Sequence, residues 1–507
     1  MTGGINAVPM SRLAGIVENL IGLHFPRERL SDLERGIAST AKELGFKGPG
    51  GIVDGLLSGS LSERQLEALT ANLTIGETYF NREKAQLDAL EFEILPEIIR
   101  KKGCSDRTLR IWSAGCATGE EPYSIAAILN RFSQELADWK ITLLATDINS
   151  RSIKTGMAAE YGEWSFRGNP QWFKEKYFIP GGTKRLRLNQ QIKEMVTFQY
   201  LNLIEDTYPS LHNNTAAMDV IFCRNVLIYF SEATRKSLTG KFFRSLVEGG
   251  WLIVSSTETS ALFSSEFRTY SLSGTTIYKK EAGGSARPPA PLTPGVFQPP
   301  WMQNVFMTPW ETPDQKEVPK PPAPVKKPLR APPEIARKPA PIRDGMAEAE
   351  RLFAEGRYEE AIGILKDILK REPKNVKAIT VMARSAANLG RLKDALDLCE
   401  GAVAVDVLNP LTHYLRAMIL QEQGRIDDAR DALRKVMYLD DKFVLAHFAF
   451  GNLAASQGRS KEADRHLGNA LKLLRNLKED EAIPESDGIT AGRFIQIICS
   501  TMSREGA

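Results

Sequence analysis

Cysteine and histidine are scarce, five of each in 507 residues. The cysteines, at 104, 116, 223, 399 and 499, are odd in number, widely spaced and never in CxxC pairs. That argues against a disulfide framework or a structural zinc, and for a reducing cytoplasm. Three histidines (413, 447, 466) fall in the C-terminal third, so metal catalysis has little support. Neither sign of charge dominates: the net charge is +4, too small at this length to imply general nucleic-acid or membrane binding. No apolar run reaches the roughly 20 residues that cross a bilayer. The N-terminus, with Arg12 and Glu18 inside a short apolar stretch, lacks the layout of a signal peptide. A cytoplasmic chain of roughly two to four domains is expected.

The most informative segment present is Trp112–Ser124. It follows a short apolar run, Leu109–Trp112, and precedes a helical pattern from Tyr123 to Leu136. Strand, glycine loop and helix is how an α/β fold lets a ligand approach its backbone. Gly115 and Gly119 can take positive φ and carry no Cβ to block that approach. Glu120 and Glu121 stand where a phosphate loop would avoid anions, since backbone N–H groups and the helix dipole favour phosphate there. The ligand is therefore expected to be cationic or hydroxyl-rich, such as a sulfonium nucleoside.

Organisation along the chain follows from composition and period. Residues 1–75 show helical periodicity without strand signals and read as a small helical domain. From 109 strands and helices alternate: Ile141–Thr146 ending in Asp147, Val196–Leu201 ending in Asn202 and Leu203, Asp219–Cys223 followed by Asn225, and Trp251–Ser256. Thr275–Lys279 reads as an edge strand. Asp147, at the end of the second strand, suits a ribose diol; as an alternative it would cap the helix from Ser150. Residues 284–343 hold 17 of the 28 prolines and read as an extended, disordered linker, with an aromatic patch around Phe297, Trp301 and Trp310. Beyond it, Gly-Arg-x-x-x-Ala recurs at Gly356, Gly390, Gly424 and Gly458. A small residue stands seven places before each (Ala349, Ala383, Ala417, Gly451). This 34-residue period resembles the tetratricopeptide repeat over about 346–475. Residues 344–507 thus read as a helical solenoid for a protein or peptide partner, closed by a capping helix around Phe494–Ile498.

Three motifs in order, Leu73–Glu83, Trp112–Ser124 and Phe222–Phe230, resemble the CheR-type chemoreceptor methyltransferases over about residues 8–281. The resemblance implies a Rossmann-like class I methyltransferase domain over 76–283, using S-adenosylmethionine, with a small β insert at about 160–195. It implies transfer of a methyl group to glutamate side chains on the cytoplasmic helices of chemoreceptors. It places Thr78 and Arg82 near the methionine, and Glu120 and Asp147 on the polar parts of the nucleoside. Asn202, Leu203, Asn225 and Val226 would line the adenine and methionine side, with Gly115 in the cofactor loop. In some members the insert grips a receptor tail peptide.

Methyl transfer from a sulfonium to a carboxylate needs alignment and desolvation but no general base or metal, because glutamate is already ionised at neutral pH. A cation or donor must orient the carboxylate, and Arg100 and Tyr229 are the candidates. A nicotinamide dehydrogenase is disfavoured because the third glycine of GxGxxG is missing. A nucleic-acid amine methyltransferase would show a Pro-Pro-aromatic tetrad where Arg224–Leu227 stand. The remaining alternative is a cofactor-binding signalling scaffold with little catalysis. Deleting 344–507 is expected to leave cofactor binding intact while altering partner choice; loss of cofactor affinity in calorimetry would contradict it.

Overall fold

The computed structural model describes residues 9–281 and 342–502, apart from 104–106, 183, 205–207, 211–212, 260–262, 264–265, 480 and 487–488. The expected linker and its aromatic patch lie outside the described residues, save the linker's last two positions. Four helices come first: α1 Met10–Ile21, α2 Leu30–Glu43, α3 Gly50–Ser58 and α4 Glu63–Leu73. Their apolar stripes meet in a core of Leu13, Val17, Leu33, Ile37, Ile52, Leu56 and Leu69. A capping box fixes the start of α4, with the Ser62 hydroxyl accepting from Gln65 N–H and the Gln65 side chain accepting from Ser62 N–H. Ile148 and Tyr229 pack against this core, so the helical unit borders the sheet's ligand edge.

The next helix runs from α5 Lys84–Ala89 through a π segment into α6 Leu95–Lys102. A seven-stranded sheet follows, built of β1 Thr108–Ala114, β2 Lys140–Asp147, β6 Val196–Tyr200, β7 Met218–Cys223, β8 Leu246–Val254, β9 Arg268–Leu272 and β10 Thr275–Lys279. Their order is β6-β2-β1-β7-β8-β10-β9. The first five are mutually parallel and β10 is antiparallel to both its neighbours. Helices α7 Glu120–Arg131, α8 Ser150–Ala158 and α11 Glu232–Ser245 are the main crossovers. Buried strands explain the near-continuous apolar runs in β1 and β7. The sequence reading made Thr275–Lys279 an edge strand; instead β10 lies between β8 and β9, which is the edge. Its hairpin partner Arg268–Leu272, polar at alternate positions, had too weak an apolar signal to be recognised.

Between β2 and β6 sit α9 Gln171–Tyr177, α10 Gln190–Lys193 and a three-stranded sheet of β3 Glu160–Tyr161, β4 Phe178–Pro180 and β5 Leu186–Leu188, ordered β3-β5-β4. Phe80, fully buried, joins this sheet to the main body through ring contacts with Tyr161, Phe166, Phe173 and Phe178.

The C-terminal part is four helix pairs, α12 Ile342–Ala354 with α13 Tyr358–Arg371, α14 Val376–Asn388 with α15 Leu392–Val405, α16 Pro410–Glu422 with α17 Ile426–Leu439, and α18 Val444–Ser456 with α19 Ser460–Leu474, followed by α20 Ala491–Met502. Gly356, Gly390, Gly424 and Gly458 turn each pair at φ of 70–77°. Three of these turns rest on the edge of the main sheet where the strands begin. Gly356 meets Arg244 at the end of α11, Gly390 meets Ala217 and Val247, and Gly424 meets Lys140. Beside them Glu422 forms an ion pair with Arg110 of β1, both side chains about nine-tenths buried. Arg110 also donates to the carbonyls of Ala216 and Asn214, each at 3.1 Å, and Lys140 Nζ to that of Gln421 at 2.8 Å.

Replacing Glu422 by Ala removes the ion-pair partner of Arg110 but leaves the carbonyls of Ala216 and Asn214, the Asn214 side chain and the nearby Asp219 charge. A loss of about 1.5–3 kcal/mol in unfolding free energy is expected, the range for hydrogen bonds to charged groups. Cofactor affinity should not change, because the ligand edge is the opposite one. Urea unfolding with parallel calorimetry checks both.

Candidate active site

The cleft opens where β1, β2, β6 and β7 end, beside the reversal of strand order between β1 and β7. The loop after β1 carries Gly115 at φ 80° and Gly119 at φ 94°. Gly115 and Cys116 N–H both donate to Thr146 O, at 2.8 and 2.9 Å, which folds the loop over the end of β2. A Cβ on Gly115 would overlap the Val226 side chain, so this glycine is required by both conformation and space.

Asp147 completes that turn. Its Oδ2 accepts from Ala117 N–H and its Oδ1 from Asn149 N–H, each at 2.8 Å. Burial raises its pKa above the ordinary aspartate value while these N–H donors pull it back. The cap of α8 is Asn149, whose side chain accepts from Arg151 and Ser152 N–H, and not Asp147. The carboxylate of Asp147 lines the cleft.

Nine of the eleven residues picked from sequence line this one cleft: Thr78, Arg82, Gly115, Asp147, Asn202, Leu203, Asn225, Val226 and Tyr229. Asn202 is held from two sides, donating to Leu20 O of α1 at 3.3 Å and accepting from Ile204 N–H at 3.2 Å. Asn225 takes φ 58° and is fixed by Glu258, which accepts its N–H at 2.7 Å. Tyr229 is partly exposed, with the Arg29 guanidinium 5.8 Å from its ring centre, and burial raises its hydroxyl pKa.

Two residues stand elsewhere. Glu120 is 3% exposed and turned away from the lining, accepting from Thr118 Oγ1 at 2.6 Å and Ser165 Oγ at 2.9 Å. Its neighbour Glu121 lines the cleft instead, accepting from Ser113 Oγ at 2.6 Å and facing Arg224 at 3.4 Å. Burial raises both carboxyl pKa values. Consecutive residues on a helix point about 100° apart, and sequence alone does not set the phase. Arg100 is exposed on the last turn of α6. That turn leads into the beginning of β1, at the edge opposite the cleft, so Arg100 is corrected as a candidate. Arg224 was not picked from sequence. It is 6% exposed, donates to Arg82 O and neutralises Glu121, a role hidden behind its neighbour Asn225. Among the described residues no cluster of His, Cys, Asp or Glu is arranged to hold a metal.

A glycine loop, a carboxylate closing the second strand and an asparagine after the fourth fit a cationic nucleoside with free hydroxyls. They define an S-adenosylmethionine-dependent methyltransferase. Residues 76–276 match the family described as "CheR methyltransferase, SAM binding domain", and 352–419 and 410–435 match tetratricopeptide repeats. The chain belongs to the CheR methyltransferase family, with S-adenosylmethionine as methyl donor. A chemotaxis protein methyltransferase of Borreliella burgdorferi is 34% identical over 252 residues, 49% of this chain and 87% of that one. Chemotaxis protein methyltransferase 2 of Vibrio cholerae is 33% identical over 44% of this chain and 76% of its own. A probable biofilm formation methyltransferase, WspC, of Pseudomonas aeruginosa is 31% identical over 46% and 54%.

Gly115→Ala forces a side chain into the left-handed region, at a cost of about 1–2 kcal/mol, and against Val226. We expect a lower unfolding midpoint and a loss of cofactor affinity of at least ~10-fold, a difference of about 1.4 kcal/mol. Thermal unfolding and isothermal titration measure the two.

Proposed function

We propose that this protein methylates glutamate side chains of chemoreceptors, forming methyl esters in chemotaxis-type signalling, and that its repeats bind a protein partner. We also assign it four parts: a helical domain at 1–75, the methyltransferase at 76–283, a linker at 284–343 and the solenoid at 344–507. The names of its relatives support the pathway, and the chemistry of the cleft supports the acceptor. Bound S-adenosylmethionine supplies an electrophilic methyl on a sulfonium. Asp147 and Glu121 would present carboxylates to the polar parts of that donor, Gly115 would give its backbone access, and Asn202, Leu203, Asn225 and Val226 would line its adenine and methionine side.

One observation supports the acceptor: Arg82 and Tyr229 line the same cleft, while the other lining cation, Arg224, is 6% exposed with its two terminal nitrogens on Glu121 and the Arg82 carbonyl. Arg82 Nη1 donates to Glu77 O at 2.8 Å, and its guanidinium lies 5.8 Å from the Tyr79 ring centre. A guanidinium orients a carboxylate by paired hydrogen bonds without taking away its charge. The Tyr229 hydroxyl, neutral as any tyrosine at pH 7 and with its pKa raised by burial, adds a neutral donor. No lining residue is histidine, and an ionised glutamate needs no proton removed.

Transfer of labelled methyl to receptor preparations, read as base-labile methyl ester, tests the reading. Arg82→Ala should cut kcat by about 10- to 100-fold, the worth of a charge-assisted hydrogen bond, with a smaller loss of cofactor affinity because Arg82 also stands by the expected methionine position. Asp147→Ala should lose cofactor binding itself. Tight cofactor binding with no ester on any receptor would overturn the proposal.

A further inference from the structure

Helical solenoids offer partners the inner layer made by the first helix of each pair. Here α12, α14 and α16 form such a layer, each packed on the next. Thr380, Tyr414 and Phe448, on α14, α16 and the next first helix α18, recur at the 34-residue spacing and are only 7%, 3% and 8% exposed. The ring of Phe443 packs on Tyr414 at 5.1 Å from within the solenoid, and Phe448 is covered from outside the repeats.

The chain that follows α19 returns over this layer at α18 and α14. Ala482 and Thr490 pair in antiparallel fashion, and Ile483 N–H donates to Ile489 O at 2.9 Å. Ala491 N–H donates to Glu481 O at 2.8 Å, and Ser486 Oγ to Ile483 O at 2.7 Å. Ile483 and Ile489, 4% and 9% exposed, join the buried cluster that contains Tyr414, Met418 and Phe448. Phe494 of α20 meets Phe448 of α18 with ring centres 4.8 Å apart. The Glu485 carboxylate reaches back to Arg384 of α14, two pairs earlier, in a long ion pair at 4.0 Å. Arg384 is itself seated 4.7 Å over the Phe353 ring of α12.

We propose that Glu481–Ser486 with Ile489 and Thr490 is an internal ligand on the solenoid's partner-binding face. The external partner is then an acidic segment of similar chemistry, a carboxylate with a branched apolar residue two places before it and another four places after. Ile483, Glu485 and Ile489 have that spacing. The partner must displace the internal segment, so its apparent affinity is reduced by the fraction of time the face is open. The inference concerns the solenoid alone and does not depend on the methyl acceptor.

The test uses the full chain and a labelled peptide spanning residues 479–492. In the double variant Ile483→Asp/Glu485→Arg the internal segment is released, and the peptide should bind at least tenfold more tightly than to the unchanged protein. Adding Arg384→Ala should remove most of that gain. Equal peptide affinity in the double variant and the unchanged protein, with helical content retained, overturns the proposal. Should the double variant not fold, hydrogen exchange on the unchanged protein decides. Exchange of the Ile483 and Ala491 amides well ahead of the α16 and α18 interiors supports a displaceable segment. Exchange as slow as those interiors shows a fixed cap and overturns it.

Discussion

The Asp147 carboxylate is the constraint on which the ligand edge depends. It stands at the end of β2, and its two oxygens hold the N–H groups of Ala117 and Asn149, one on each side of the gap between two successive strand–loop units. Without it, the glycine loop after β1 would keep the Thr146 carbonyl at its start and the Tyr161 hydroxyl on Thr118 O, but lose the tie at Ala117 between them. Burying a carboxylate is costly unless its lone pairs are met, and here backbone N–H groups meet them. Each oxygen retains further acceptor capacity towards the cleft. One side chain therefore shapes the loop and faces the ligand, so a variant at this position removes two things together.

A second constraint works at the opposite edge. Strands stand about 4.8 Å apart and packed helices about 8–10 Å, so one helix pair advances by roughly two strands. The turns of the solenoid follow that arithmetic: the first meets the end of α11, the second the beginnings of β7 and β8, and the third β2, with Glu422 on β1 between them. A glycine at each turn permits the left-handed conformation, and at Gly356 it also leaves room for Arg244. The 34-residue repeat thus encodes both the solenoid and its seating on the sheet.

What could be read in the sequence was whatever a local pattern encodes. The glycine loop, Asp147, Asn202 and Asn225 follow buried strands, and parallel sheets gather such positions at one edge, so their convergence followed from topology. The repeat was legible from its period. Choices set by side-chain direction were not. Glu120 and Glu121 are equivalent in sequence, and only the packing of Ser165 and Thr118 against the former turns the latter to the cleft. Arg100 looked suitable by charge, yet the path of α6 carries it to the wrong edge. The placement of β10 inside the sheet, the Arg110–Glu422 pair and the covering of the inner face all depend on residues far apart in the chain, 312 apart for the ion pair. No local pattern encodes them.

Seating the solenoid behind the sheet raises the question of how a partner there could influence chemistry in front. None of its described residues is among those lining the cleft, and its turns meet the end of α11 and the beginnings of strands at the opposite edge. The last described helix is electrostatically linked to the helical unit: burial raises the pKa of the Cys499 thiol on α20, and the Glu63 carboxylate at the start of α4 adds to the shift. That unit's core takes in Leu69 and Leu73 of α4 and packs against Ile148 and Tyr229 of the cleft. Leu73 itself opens the motif that leads to Thr78 and Arg82. In the proposed reading, displacing the segment that precedes α20 changes what stands near α4, the helix whose core packs against Ile148 and Tyr229 in the wall of the cleft. Such coupling needs no movement of the sheet, only a change in how firmly α4 holds that wall.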